Sequence, residues 1–136
     1  MRKVCATLAL VLLSAGVLAA AEPDEKWEMT TYQVAFLKRG PNWTPAETPE
    51  TKAIQEGHMA NIRKMGATGK LLIAGPFEDG GDLRGMFIFR VDTLEEAKAL
   101  AEQDPAVKAG RLVLEWHPWF AAKNIVVTPK AAAPPR

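Results

Sequence analysis

The sequence predicts an α+β domain whose secondary-structure elements follow the order β-α-β-β-α-β. Two observations predict this class. Short runs rich in β-branched and aromatic residues alternate with helix-like segments, and each helix-like segment begins at a threonine suited to cap it, Thr48 or Thr93. Two right-handed βαβ crossovers then place the strands in one four-stranded antiparallel sheet, with both helices on the same face.

The first strand and the first helix are predicted from β-propensity and from helix-capping signals. Residues Thr31 to Leu37 (TYQVAFL) have the composition of a strand. Thr48 followed by Pro49 is a favourable helix start, and the helix is expected to run to about Gly66. The residues that recur at spacings of four, four and three lie on one face of this helix and are Ile54, His58, Ile62 and Met65.

The later elements are bounded by glycine, proline and a second capping signal. Thr93 and Glu96 fit a capping box, in which the side chain at each end of the first turn bonds the backbone at the other end. The helix that follows is expected to stop near Asp104-Pro105. The predicted strands are Lys70 to Ala74 closed by Gly75-Pro76, Gly85 to Val91, Arg111 to Trp116 continuing through His117-Pro118, and an additional edge strand over Asn124 to Thr128.

The composition of the 136-residue chain excludes several classes of protein, and its length suits one domain. The 17 basic and 16 acidic side chains leave a formal charge of +1, without the surplus of Lys and Arg that binding to nucleic acid requires. The single Cys cannot form an intramolecular disulfide or a thiolate zinc cluster, and the two histidines lack metal-ligand spacing. We therefore expect no nucleic-acid partner, no bound metal and no required cofactor.

Residues 1–21 are typical of a secretory signal peptide. A cationic start, Met1-Arg2-Lys3, precedes an uncharged stretch that ends in Ala19-Ala20-Ala21, the small-x-small pattern of a signal-peptidase site. The alternative is a retained membrane anchor, because the uncharged stretch approaches the minimum length that spans a bilayer. Small residues at its end favour cleavage. We expect a soluble mature form that begins near Glu22, in the periplasm or secreted, with no membrane association after cleavage.

The rest of the chain divides by composition into a body and two flanking segments. A polar leader is predicted over residues 22–28, and the compact domain over residues 29–120. Residues 121–136 form a C-terminal extension, and its last part, Thr128 to Arg136, carries three Pro and three Ala and is expected to be a frayed tail.

Both faces of the predicted sheet are apolar, although the two helices can cover only one of them. Such a sheet needs a second layer, and a second copy of the chain would supply it, so we expect a homodimer. The residues that alternate are Phe87, Phe89 and Val91 with Met86 and Ile88, and Leu112, Leu114 and Trp116 with Val113.

Few side chains stand out as candidates for chemistry. His58 lies within the apolar stripe of the first helix, where a packed core histidine and a site residue are both possible. Asp104, at the end of the second helix, faces the unfavourable end of the helix dipole, and His58 could compensate it. His117 should share a side of its strand with Glu115. The remaining candidates are Trp43 and Trp119, as walls of a small-molecule pocket or of a dimer contact, and a loop with Glu78, Asp79 and Asp82, better interpreted as solvated than as a cation site.

An ordered set of short motifs in the body resembles the YCII-related (YciI-like) family over about Val34 to Phe120. The set consists of Gly57-His58-Met59, Gly69 through Pro76 (GKLLIAGP), Arg84-Gly85, Thr93 through Ala97 (TLEEA), Asp104-Pro105 with Lys108-Ala109-Gly110, and Trp116 to Trp119. The resemblance implies a dimeric α/β-barrel built from ferredoxin-like halves. It also implies an active-site His–Asp pair in a cleft, which by motif falls on His58 and Asp104.

Two departures from the family pattern accompany this resemblance. Gln55-Glu56-Gly57 precedes the histidine, where family members often carry a basic residue or Pro, and the predicted export is unusual for the family. Gly57 costs a helix about 1 kcal/mol relative to Ala, so its presence indicates close backbone packing or the approach of a ligand.

Two functions are consistent with these residues. In the first, the protein is an enzyme that performs an elimination or isomerisation on a small cyclic or aromatic molecule. His58 acts there as general acid/base, Asp104 fixes its tautomer and favours its charged form, and Gly75-Pro76 shapes the pocket wall. In the second, the protein is an exported, non-catalytic module that binds a small molecule or a protein partner through the same cleft.

Overall fold

The computed structural model of the chain describes residues 27–126, so the predicted signal peptide and the predicted tail lie outside the described residues. The described residues form four strands and three helices. In chain order these are β1 (Met29–Arg39), α1 (Pro49–Ala67), β2 (Leu71–Pro76), β3 (Leu83–Phe89), α2 (Leu94–Ala101), α3 (Pro105–Lys108) and β4 (Leu112–Ala122).

The strands form one antiparallel sheet in the order β2-β3-β1-β4. β1 is paired antiparallel with both β3 and β4, and β3 is paired antiparallel with β2. Each helical connection therefore joins two parallel strands that have one strand between them, as in a ferredoxin-like βαββαβ fold. The predicted fold class is confirmed.

Several strand boundaries differ from the prediction because strand pairing overrides local turn signals. β2 continues through Gly75 and Pro76, whose partners on β3 are Met86 and Gly85. Pro is tolerated here because β2 is an edge strand and needs no donor on its outer side. β3 begins at Leu83 rather than Gly85, and β4 extends to Ala122. The additional edge strand expected from Asn124 onward is absent over 124–126, and its last two residues lie outside the described range.

Both predicted threonines cap their helices, but the capping box forms at Thr48 and not at Thr93. Thr48 caps α1 and forms a capping box with Thr51: the Thr51 N–H donates to Thr48 Oγ1 at 3.1 Å, and the Thr48 N–H donates to Thr51 Oγ1 at 2.9 Å. Thr93 Oγ1 accepts from the Glu96 N–H at 3.1 Å. The predicted return bond from the Glu96 side chain is replaced by an ion pair, since Glu96 Oε1 accepts from Lys70 Nζ at 2.7 Å.

The helices cover one face of the sheet. The core on that side joins aromatic residues of β3 to Met65 of α1 and to Ala97 and Ala101 of α2, all of them buried. Trp116 of β4 packs at its edge against Phe89. Ala97 and Ala101 recur one helical turn apart, and their small side chains let α2 lie close on the sheet.

The opposite face of the sheet is covered in part by the end of the described chain. Tyr32 is fully buried there and donates a hydrogen bond to the Lys123 carbonyl at 2.9 Å. Ile125 packs on the same cluster, and the Lys123 N–H bonds the Glu28 carbonyl at 2.7 Å. Ala121 and Ile125 therefore pack on this face of the sheet, and the Lys123 backbone is joined to the Glu28 backbone.

Among the helices formed by residues 27–126, none is long and apolar enough to cross a membrane.

Candidate active site

The structure brings His58 and Asp104 into direct contact. His58 Nδ1 lies 2.9 Å from Oδ1 and 2.9 Å from Oδ2 of the Asp104 carboxylate. An ionised carboxylate can only accept, so Nδ1 carries the proton and donates it to this pair of oxygens. The Asp104 side chain is 0% exposed and that of His58 is 11% exposed. The carboxylate is therefore buried against the imidazole, and the imidazole is the member of the pair that keeps access to solvent.

Asp104 lies at the start of α3 rather than simply at the end of α2. Its Oδ1 accepts from the Ala106 N–H at 2.9 Å, so Asp104 is the N-cap of this short helix. The expected unfavourable placement at a helix C-terminus is therefore corrected, because the chain turns into a new helix immediately after Asp104. The single Asp-Pro pair ends one helix and starts the next, since Pro105 is well suited to a first helical position.

A third donor completes the environment of the carboxylate. Asn61, one helical turn after His58 on α1, donates from Nδ2 to Asp104 Oδ2 at 3.2 Å. Burial raises the pKa of Asp104, but hydrogen bonding and charge attraction from His58, together with the bonds from Ala106 and Asn61, outweigh it. The pKa of Asp104 therefore lies below its ordinary value, and the carboxylate is ionised at neutral pH.

Gly57 explains how α1 approaches α3 closely enough for this contact. A Cβ at position 57 would lie 2.9 Å from Pro105 Cγ and 3.2 Å from Pro105 Cβ, which is closer than carbon atoms pack. The sequence offered close packing or ligand approach as reasons for Gly57, and the structure shows close packing.

A cavity of about 660 Å³ opens beside His58, between α1 and one end of the sheet. The His58 ring stacks on Phe87, with the ring centroids 6.1 Å apart and the planes inclined by 22°. Gly75 and Pro76, singled out in the sequence as pocket-shaping residues, line this cavity, and so does Trp43. Its further apolar lining includes Leu37, Met59, Ile62 and Leu112.

Three arginines that line the same cavity were not found by reasoning from sequence. Arg39, Arg84 and Arg111 come from separate strand ends. Arg84 belongs to one of the motifs that carry the family resemblance, but no local pattern assigns a binding role to any of the three. The signal that could have found them is topological. β1 runs antiparallel to both β3 and β4, so its last residue must meet the first residues of those two strands.

The other sequence candidates lie elsewhere. Trp119 packs on Tyr32 on the sheet face opposite the helices and takes no part in the cavity. His117 pairs with Glu115 at 2.9 Å on that same face, as their alternation predicts. The pKa of Glu115 is lowered by its hydrogen bonds to His117 and Lys38. Within residues 27–126, no group of three or more His, Cys, Asp or Glu side chains could hold a metal ion.

Similarity to known proteins identifies the family to which this chain belongs. None of the curated proteins matches the chain. Among solved structures, the fold is similar to that of 5-chloro-2-hydroxyhydroquinone dehydrochlorinase from Burkholderia phenoliruptrix AC1100, in complex with 2,5-dihydroxybenzoquinone. That similarity has a TM-score of 0.48 and 19% sequence identity, and it covers 66% of this chain and 93% of the other.

The sequence profile of the YCII-related domain matches residues 33–117, a span that contains both His58 and Asp104. This span is more than half of the chain and includes every strand from β1 to β4 in whole or in part. The chain therefore belongs to the YCII-related family.

Proposed function

We propose that this protein is an exported enzyme that transfers a proton on a small cyclic or aromatic molecule, by elimination or isomerisation. The observation that carries the proposal is the buried His58–Asp104 hydrogen bond beside the cavity. Small-molecule sites typically have volumes of about 300–1,000 Å³ and apolar walls with a few polar groups. A cavity of about 660 Å³ with His58 among its lining residues fits that description.

His58 is the proposed general base and general acid. Its Nδ1 is engaged by Asp104, so Nε2 is the nitrogen that can accept a proton from a molecule in the cavity. In an elimination, Nε2 takes a proton from carbon, the C–H electron pair becomes the new π bond, and the group on the adjacent carbon leaves with its bonding pair. In an isomerisation, the same proton returns to a different carbon.

Asp104 is a positioning residue in this mechanism. Its two oxygens hold the imidazole in the tautomer that leaves Nε2 unprotonated, and its negative charge stabilises the imidazolium formed in the proton transfer. Three donors keep the carboxylate itself in place, and its low pKa keeps it charged throughout the neutral range.

A proton-transfer enzyme can be tested without knowledge of its natural substrate, by solvent exchange. The purified protein is incubated in D₂O with a panel of small cyclic ketones, lactones and hydroxylated aromatic compounds, and C–H to C–D exchange is followed by NMR and mass spectrometry. We expect exchange or conversion of at least one compound. His58→Ala should lower that rate by about a thousandfold, and Asp104→Asn should lower it by about a hundredfold without weakening binding.

Two variants control this experiment. Asp92→Asn removes an exposed carboxylate that does not line the cavity and should leave the rate unchanged. Asp104→Glu should restore part of the rate lost in Asp104→Asn, which a purely structural role would not predict. If compounds bind but remain chemically unchanged and unexchanged, the protein is instead a binding module that uses the same cavity.

We also propose that the working molecule is a homodimer formed through the sheet face opposite the helices. This face carries three large apolar side chains that are more than one third exposed, Ile73 at 38%, Val113 at 41% and Trp119 at 44%. Exposed apolar side chains on one sheet face favour association with a second layer.

A further inference from the structure

The cavity beside His58 contains a cluster of three arginines that the proton-transfer mechanism does not use. Arg39 is the last residue of β1, Arg84 the second residue of β3, and Arg111 immediately precedes β4. Because β1 lies between β3 and β4 and is antiparallel to both, these positions meet at one end of the sheet. The fold therefore concentrates three positive charges on the wall of one cavity.

Backbone contacts hold this end of the sheet together. The Gly40 N–H donates to the Arg111 carbonyl at 2.8 Å, and a Cβ at Gly40 would lie 2.2 Å from the Gly110 carbonyl oxygen. The Arg111 N–H in turn donates to the Ala106 carbonyl at 2.9 Å, in the same short helix that Asp104 caps. The arginine cluster and the His58–Asp104 pair are thus parts of one connected frame.

The three guanidinium groups have no carboxylate partner among residues 27–126. In the part of the chain that the structure describes, each donates only to a backbone carbonyl: Arg39 to Gly80 at 2.9 Å, Arg84 to Gly81 at 3.3 Å and Arg111 to Thr44 at 3.1 Å. The chain does supply carboxylates to other basic side chains, since Lys38, Lys52, Lys70 and Lys123 each pair with a glutamate. Within the described range, no Asp or Glu is among the residues that line the cavity.

Two of these arginines also have buried nitrogen atoms without a hydrogen-bond partner in the described part of the chain. They are Arg39 Nε and Arg111 Nη1. Buried donors are almost always satisfied in folded proteins, so these two atoms show that residues 27–126 do not use the full donor capacity of the cluster. Trp43 orients the cluster, because the Arg39 Cζ lies 4.0 Å and the Arg84 Cζ 5.8 Å from its ring centroid.

We propose that Arg39, Arg84 and Arg111 bind a carboxylate group of the ligand, so that the substrate class is the small cyclic or aromatic carboxylic acids. The term substrate rests on the proposed function, whereas the binding of the carboxylate does not depend on it. Guanidinium groups recognise carboxylates through paired N–H donors, and planar guanidinium–aromatic stacks such as Arg39–Trp43 present those donors in a fixed plane. The apolar walls formed by Met59, Ile62 and Phe87 accommodate a ring, and His58 meets the ring from the α1 side.

The experiment measures equilibrium binding of three matched probes to the purified protein by calorimetry. The probes are benzoate, the neutral benzyl alcohol and the dianionic phenyl phosphate. We expect benzoate to bind about tenfold or more tightly than benzyl alcohol, and to raise the melting temperature as it binds the folded state. Equal affinity for benzoate and benzyl alcohol, or no benzoate binding, would overturn the proposal. Tighter binding of phenyl phosphate than of benzoate would overturn the assignment of a carboxylate.

Variants locate the binding site and separate the two proposals. Arg84→Gln and Arg111→Gln should each weaken benzoate about tenfold and leave benzyl alcohol unchanged, whereas Arg63→Gln, an exposed arginine of α1 that does not line the cavity, should change neither. Unchanged benzoate affinity in folded Arg84→Gln and Arg111→Gln rejects the arginine site even if proton exchange is observed. If the unmodified protein catalyses no proton exchange while His58→Ala still binds benzoate, the proposed reaction is rejected. The proposed arginine site is then retained.

Discussion

The carboxylate of Asp104 joins two helices of the molecule through hydrogen bonds to its two oxygens. His58 and Asn61 reach it from α1, and the Ala106 N–H reaches it from the first turn of α3. Three donors compensate the cost of burying a charge that is fully removed from solvent. The same side chain therefore stabilises the packing of α1 on α3 and orients the imidazole.

At this residue, we predict a pH-dependent contribution to stability. The pKa of Asp104 is lowered in the folded state, so its carboxylate stabilises the fold at pH values above the unfolded pKa, and that stabilisation is lost as the pH falls through the folded pKa. Asp104→Asn should lower the free energy of unfolding by about 2 kcal/mol at pH 7.

Urea unfolding measured between about pH 7 and pH 3 checks this prediction. The unmodified protein should lose stability more steeply on acidification than Asp104→Asn. Asp92→Asn is the control, because Asp92 is exposed and does not take part in the ion pairs of residues 27–126. Parallel pH profiles for the unmodified protein and Asp104→Asn would contradict the prediction.

Among the elements, the spacing between α1 and α3 depends on the absence of a side chain at Gly57. Gly57→Ala would gain about 1 kcal/mol of helix propensity but would place a Cβ 2.9 Å from the Pro105 ring. The ring cannot move far, because Asp104 and the first turn of α3 hold it. We expect a net loss of about 1–2 kcal/mol in the free energy of unfolding.

The same helix offers a matched control for this substitution. Gly66 lies in the last turn of α1, and a Cβ built there meets no atom within 4 Å. Gly66→Ala should therefore stabilise the protein by about 0.5–1 kcal/mol. Chemical denaturation of both variants compares the two sites directly, and a stabilising Gly57→Ala would show that α1 and α3 are not in close contact.

For the whole molecule, we predict two masses after the full chain is produced in a bacterial host with a secretory pathway. Native mass spectrometry should show a dimer, because the face opposite the helices exposes Val113 and Trp119 in one copy. Denaturing mass spectrometry of the same sample should show a chain that begins near Glu22. Trp119→Glu should shift the native mass to the monomer by introducing a charge into that face.

The predictions for the native mass and for the denatured mass can be contradicted independently of each other. A monomer at micromolar concentration in the unmodified protein would contradict the homodimer, and a chain that still carries residues 1–21 would contradict export with cleavage. Neither result would affect the proton-exchange and benzoate experiments, which address the cavity within one copy of the chain.

Local signals in the sequence determined the order of the four strands and of α1 and α2, and the starts of those two helices. Thr48 and Thr93 each cap the helix predicted for them, since capping involves atoms only a few residues apart. The alternating apolar pattern also indicated two packed sheet faces. The ordered motifs that resemble the YCII-related family predicted that His58 and Asp104 form a pair. Their separation of 46 positions in the chain does not indicate a contact by itself.

Tertiary structure alone decided the features that depend on elements far apart in the chain. Asp104 became a helix N-cap because the chain turns into α3, whereas the local Asp-Pro pair indicated only a stop. The end of the described chain covers Tyr32 because β4 pairs with β1 along its whole length, which brings the Ala122 and Lys123 carbonyls to the Tyr32 hydroxyl. Arg39, Arg84 and Arg111 form one cluster because antiparallel pairing brings three strand ends together, and no pattern within any single strand encodes that meeting.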